Sequence, residues 1–219
     1  MITTGVGGDH SILNHGDKNR MPIRFFQLFV LSTFSSLLFA HPQFQTRDII
    51  FHISKSQQSL VIQQATHSLY SHMGMIVNKD GKMWVLEAIQ PVQYTSLDKW
   101  IARGVKGHYV VKRMKSSLNV QQKQKLVTNA EQYLGRPYDI YFEWSNRAIY
   151  CSEIIWKAYD QALGIQLAPL QHLKQFDLKQ ASVQKLMQQR YGQHIPLNET
   201  VIAPKAIYES KYLQEVFRN

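Results

Sequence analysis

Residues 71–88 read Ser-His-Met-Gly-Met-Ile-Val-Asn-Lys-Asp-Gly-Lys-Met-Trp-Val-Leu-Glu-Ala. Two strand-like runs, 71–77 and 83–88, flank Asn78-Lys-Asp-Gly81, whose residue types are those of a tight hairpin turn. Two polar residues break the apolar pattern. His72 lies two positions before Gly74, where a missing side chain admits close approach of another backbone or a substrate. Glu87 interrupts the apolar run from Trp84 to Ile89, and a carboxylate there is costly unless it is paired or hydrogen-bonded. If Val77 pairs with Lys82, His72 and Glu87 are direct cross-strand neighbours on one face. A three-residue loop with Gly81 in a bulge would instead shift the pairing by one and separate the two faces. A structural salt bridge is the plainer meaning of such a pair.

Working outward, Asp48–Ile53 is β-branched and apolar, as a strand requires. Ser56 can cap a helix that places Val61, Ile62, Ala65 and Leu69 on one face. A further strand, Tyr109–Arg113, follows a loop containing Gly104 and Gly107. Asn119 with Gln122 forms a capping-box pattern ahead of an apolar stripe of Leu126, Val127, Ala130, Tyr133 and Leu134, which stops at Gly135. Pro137 opens an aromatic stretch through Trp144, and a helix from Cys151 to Leu163 closes at Gly164. The remaining third, with a helix over Val183–Tyr191 and another opening at Pro204, reads as packing.

Cys151 is the only cysteine among 219 residues, so an intramolecular disulfide and a cysteine-rich zinc site are both excluded. A nucleophilic cysteine acts as the thiolate, and a helix N-terminus or a cationic neighbour favours that form. Cys151 has the first by position, together with backbone N–H groups that can receive an oxyanion. A lone cysteine is also compatible with a small buried hydrophobe. A base is the second requirement. Of the seven histidines after residue 40 (His41, His52, His67, His72, His108, His172 and His194), His72 is distinguished by its strand setting and by Glu87 opposite. In this arrangement Cys151 attacks, His72 carries the proton, and Glu87 orients the ring. His67 and His72 are five residues apart, not the i, i+4 spacing of a zinc helix, and no HExxH occurs, so the pattern speaks against a metal site.

Residues 21–40 carry Arg24 ahead of an apolar run that ends at Ala40, the pattern of a secretory signal peptide too short to span a membrane. Met21 is then a possible start. Residues 1–40 are set apart as upstream segment and signal, 41–219 as one domain, and the location expected is periplasmic or otherwise exported. The net charge is +10; Lys18, Arg20, Arg24, Asp9 and Asp17 lie in the leader, so 41–219 keep +9. The basic residues are dispersed, without a run of five, which argues against nucleic acid and leaves an anionic envelope polymer, a membrane surface or a merely solvated face.

Asp48-Ile-Ile-Phe51, Ala65-Thr66, Tyr70-Ser-His-Met-Gly-Met75, Leu86-Glu-Ala88, Leu134-Gly-Arg-Pro-Tyr-Asp139 and Tyr150-Cys-Ser-Glu153, followed by Phe176-Asp-Leu178 and Ile195-Pro-Leu197, together resemble the YiiX/YebB-like permuted papain-fold cysteine hydrolases, related to NlpC-type cell-wall peptidases. The resemblance covers residues 43–209. It implies an α+β, circularly permuted papain-like (NlpC-type) fold, with an antiparallel sheet packed against helices. It also implies a Cys-His-Glu site at Cys151, His72 and Glu87, the histidine strand preceding the cysteine helix. Tyr138, Asp139 and Tyr150 are candidates to line the site, a core role being as open for the tyrosines. The implied reaction is cofactor-free cleavage of an amide or ester through an acyl-enzyme. Cell-wall peptides are the first candidate substrate, since relatives cut amides of γ-linked D-glutamyl residues. Lipid acyl hydrolysis or transfer, by likeness to the lecithin–retinol acyltransferase group, is the second. Arg47 stands where this family commonly has Gly.

Overall fold

The computed structural model describes residues 43–219; the expected signal peptide at 21–40 and the segment before it lie outside the described residues. In chain order the elements are β1 (Ile49–Ser54), α1 (Gln57–Thr66), β2 (His72–Lys79), β3 (Lys82–Glu87), β4 (Gln93–Ser96), α2 (Leu97–Ala102), β5 (Gly104–Met114) and α3 (Val120–Glu131). There follow α4 (Cys151–Leu163), β6 (Gln171–His172), α5 (Ala181–Tyr191), β7 (Thr200–Val201), α6 (Pro204–Tyr208) and β8 (Leu213–Arg218). Six strands form one sheet in the order β4-β3-β2-β1-β5-β8, every neighbouring pair antiparallel, and β6 pairs with β7 separately.

The hairpin is present with a different register. Lys79 pairs with Lys82 across a two-residue turn, Asp80-Gly81, with φ of 53° and 77°. Positive φ at both central residues matches the twist of the flanking strands, and it makes Val77 pair with Trp84 rather than Lys82. The expected register was therefore wrong by two residues. A shift of two preserves the faces, because side chains alternate with period two.

Alternation along β1 to β3 gives the sheet two apolar faces. Ile49, Phe51, Met73, Met75 and Leu86 pack with Leu126 and Ala130 of α3 and with Ile154 and Ile155 of α4. Ile50, Ile76, Val85 and Val111 form the other face, with Leu97 and Trp100 of α2. A smaller cluster joins Val61 of α1 to Leu173 and to Val183 and Met187 of α5. The capping box at Asn119 is formed in both directions.

Four local expectations change. Leu69 is off the apolar face of α1, because the helix stops at Thr66 with His67 left-handed, and Leu69 is exposed. Helix α3 ends before Tyr133 and Leu134, which lie in the turn toward Gly135. Gly104 and Gly107 belong to a longer β5 rather than to a loop. The segment 93–102, given no element above, supplies β4 and α2, and the chain ends in β8.

Candidate active site

Cys151 is the first residue of α4, buried against the core, with Tyr150 in extended conformation as the flanking cap residue. Several contacts fix this entry to the helix. The Tyr150 amide donates to Glu153 Oε2 at 3.4 Å. The Lys157 ammonium, one turn further on, contacts Glu153 Oε1 at 2.6 Å and donates to the Ser145 carbonyl at 2.8 Å and Asn146 Oδ1 at 2.9 Å, tying down the loop that leads into Cys151. Burial pushes the Glu153 carboxyl up to about 8, with Lys157 acting against it. The first N–H groups of a helix have no acceptor within it, so α4 presents donors and the positive end of its dipole at the thiol.

His72 opens β2 at the rim of the sheet, beside that helix start. Its Nε2 lies 2.7 Å from Glu87 Oε2. The pair is diagonal across the hairpin, and Gly74 makes room for it. A Cβ at Gly74 would stand 2.4 Å from Val85 Cγ1 and 2.8 Å from the Leu86 carbonyl, with Glu87 Cβ at 3.4 Å. Glu87 is fully buried, and its other oxygen accepts from Thr95 Oγ1 at 2.5 Å and from Arg103 Nη2. Burial alone would raise the Glu87 carboxyl. The His72 contact, the Thr95 hydroxyl and the Arg103 charge together hold it below its ordinary value. For His72 the balance runs the same way toward charge: burial lowers the imidazole, while hydrogen bonding and charge from Cys151 and from Glu87 overcome that and raise it to about 9. With Nε2 on the glutamate, Nδ1 is the ring nitrogen left for the thiol.

A second histidine backs the first. His52, which pairs with His72 between β1 and β2, stacks on Trp100 with ring centroids 3.9 Å apart. Burial, with the positive surroundings of His72, Arg103 and Lys55, lowers it to about 2, so it is a neutral ring behind a charged one.

Two cavities adjoin the site. A cleft of about 800 Å³ is lined by His52, His72, Arg103, Gln58 and Ser71. A smaller, apolar chamber of about 70 Å³ is lined by Cys151, Tyr150, Phe142, Leu173 and Met187. Tyr138 lines both, and its hydroxyl accepts from Gln58 Nε2 at 2.9 Å. The Tyr150 hydroxyl accepts from the Ile202 amide at 3.0 Å, fastening the chamber's far wall to α4. Asp139 lines neither cavity; it is buried, its Oδ1 accepts from the Tyr141 amide at 2.8 Å, and burial raises its carboxyl.

The structure thus brings together Cys151, His72, Glu87 and Tyr138, places Tyr150 beside Cys151 on the chamber wall, and leaves Asp139 outside both cavities. Thr95, Arg103 and His52 were not singled out in the sequence. Thr95 falls in the segment given no element, where the alternation of Val92 and Tyr94 with polar residues was the available signal, and Arg103 directly follows that segment.

Residues 43–217 match the family described as permuted papain-like amidase enzyme, YaeF/YiiX, C92 family. The chain is 50% identical over 185 residues to the protein YiiX of Escherichia coli K12, described as uncharacterized, covering 83% of this chain and 92% of that one. It superposes with a TM-score of 0.78 on a crystal structure described as the metalloprotein yiiX from Escherichia coli O157:H7. That match has 51% identity and covers 80% of this chain and 97% of the other.

Proposed function

The chain belongs to the YaeF/YiiX family of permuted papain-like amidases, a family of thiol-dependent hydrolases, and from that premise we propose that it cleaves an amide through a Cys151-His72-Glu87 site. The His72–Glu87 contact at 2.7 Å, set at the start of the cysteine helix, carries this reading. Glu87 holds the imidazole by Nε2, which keeps Nδ1 toward the thiol. Sulfur forms a bond to the substrate carbonyl carbon, and the N–H groups at the start of α4 receive the oxyanion. The C–N bond breaks, His72 gives its proton to the leaving nitrogen, and a thioester remains on Cys151. Water then attacks the thioester, His72 taking its proton, and the acid departs as the thiol is restored.

The structure that this chain resembles is described as a metalloprotein. Among the described residues no three His, Cys, Asp or Glu side chains converge to hold a metal ion, so no step is routed through one.

The substrate class we propose is a cell-wall peptide amide, in an exported enzyme. The leader pattern at 21–40 supports export, and the wide cleft on the His72 side sets Lys55, Gln58 and Arg103 among apolar residues such as Ile62, Ile89 and Ile140, a mixed lining suited to a peptide leaving group. The apolar lining of the chamber beside Cys151, taken apart from its size, is the observation behind the second reading, a lipid acyl ester or N-acyl amide. Incubating the protein with murein peptides and with phospholipid vesicles, each against a Cys151→Ala control, separates them. Cys151-dependent release from murein peptides is the expected result; release from lipid alone overturns the peptide assignment.

A further inference from the structure

Resting on the hydrolase reading, we infer that the two cavities divide the substrate: the apolar chamber beside Cys151 is an acyl-side pocket that admits a short aliphatic group of one to three carbons, and the wider cleft beside His72 takes the leaving group. In a thiol hydrolase the sulfur keeps the acyl fragment while the histidine protonates the departing nitrogen. Cys151 lines the chamber and is absent from the cleft wall; His72 lines the cleft and is absent from the chamber wall. Ile62 and Tyr138 border both and form the partition. The part of the substrate that stays on sulfur therefore lies on the apolar side.

Size sets the class. A volume of about 70 Å³ is half or less of the roughly 150 Å³ cavity that holds one benzene, which leaves room for about three carbons and not for a fatty acyl chain. The walls are fixed. Ser152 Oγ donates to the Ile202 carbonyl at 2.7 Å, and Tyr150 receives the Ile202 amide, so the 201–204 wall is fastened to α4. Met187 and Leu173 line the chamber from a packed cluster. The occupant is thus a small aliphatic acyl group, such as an alanyl side chain or a short fatty acid. This favours the peptide over the long-chain lipid within the proposed function.

The test is a series of p-nitrophenyl esters from acetate through butyrate and hexanoate to octanoate, with Cys151→Ala subtracted at each length. Each methylene that enters the chamber raises kcat/KM about fourfold, so butyrate exceeds acetate about fifteenfold, and hexanoate and octanoate fall below butyrate. Met187→Ala, which deepens the chamber, moves the maximum to a longer chain. Ala65→Leu, at a half-buried position of α1 on the chamber wall, brings the butyrate-to-acetate ratio to one or below. The second variant decides the matter if truncating buried Met187 unfolds the protein. Cys151-dependent turnover with a profile that is flat or rises to octanoate, or that neither variant changes, overturns the chamber assignment and leaves the hydrolase reading standing. Turnover that is nowhere Cys151-dependent overturns both.

Discussion

Replacing Glu87 with Gln tests whether the buried carboxylate orients His72. Glutamine keeps the shape, and its amide oxygen can still accept from Thr95 and Arg103. Its NH₂ then faces His72 Nε2, which must become an acceptor, so the ring proton moves to Nδ1 and points at the thiol. In that tautomer the imidazole cannot take the thiol proton. The lift of His72 from 6.5 to about 9 corresponds to about 3 kcal/mol in favour of the imidazolium, with Cys151 and Glu87 as its sources. Removing one source lowers the imidazole. Tautomer and charge together predict a loss of about 10² to 10⁴ in kcat/KM, as expected when the group orienting a catalytic histidine is neutralised. Arg103 is 42% exposed and can hydrate its freed charge, so the fold survives. The assay is kcat/KM for a short acyl ester from pH 5 to 10, with iodoacetamide alkylation of Cys151 measured on the same samples and thermal melting as the folding control. Activity within threefold of the parent, with an unchanged alkylation profile, refutes the orienting role.

Thr95→Val removes one donor to Glu87 without changing shape, so about 1 kcal/mol of stability and several-fold in kcat/KM should be lost; denaturant unfolding and kinetics check both. Gly74→Ala forces β2 and β3 apart at Val85 and the Leu86 carbonyl. It should cost about 1–3 kcal/mol or more and abolish activity by parting His72 from Glu87, read by melting and turnover together. Because His52 is depressed from 6.5 to about 2, its contribution is complete above pH 6.5 and is lost at about 1.4 kcal/mol per unit as pH falls below that value; urea midpoints at pH 7 and 4.5 should converge in His52→Phe, which can still stack on Trp100. Arg47 holds φ of 84°, so Arg47→Gly should add about 1 kcal/mol, seen as a rise of about 2–4 °C in melting temperature.

The parts legible in the sequence were those governed by local rules. A hairpin turn within Asn78–Gly81, the capping box at Asn119 and the helix opening at Cys151 follow from short-range chemistry, although the turn is the shorter Asp80-Gly81 pair. His72 and Glu87 were reached by the hairpin register and, separately, by the family resemblance. The register was off by two, yet period-two alternation left both on one face, and Gly74 opposite Glu87 lets the diagonal close. Thr95 and Arg103 were not legible, because their meaning depends on β4 pairing with β3 and on where α2 ends, both tertiary facts. The depressed His52 likewise depends on burial under Trp100, which no local pattern of β1 announces. Arg47 is the converse case. The place where the resembled family commonly has Gly is a left-handed backbone position, which explains the preference physically.

The central claim is that the reaction passes through a thioester on Cys151. Peptide mass spectrometry of the enzyme, quenched with acid during turnover of p-nitrophenyl butyrate, tests it most directly. The expected result is a butyryl group on the peptide containing Cys151, less of it in Glu87→Gln, and neither adduct nor turnover in Cys151→Ala. Turnover that persists in Cys151→Ala, or that proceeds in the parent with Cys151 unmodified at every quench time and an acyl group on another residue, would contradict it.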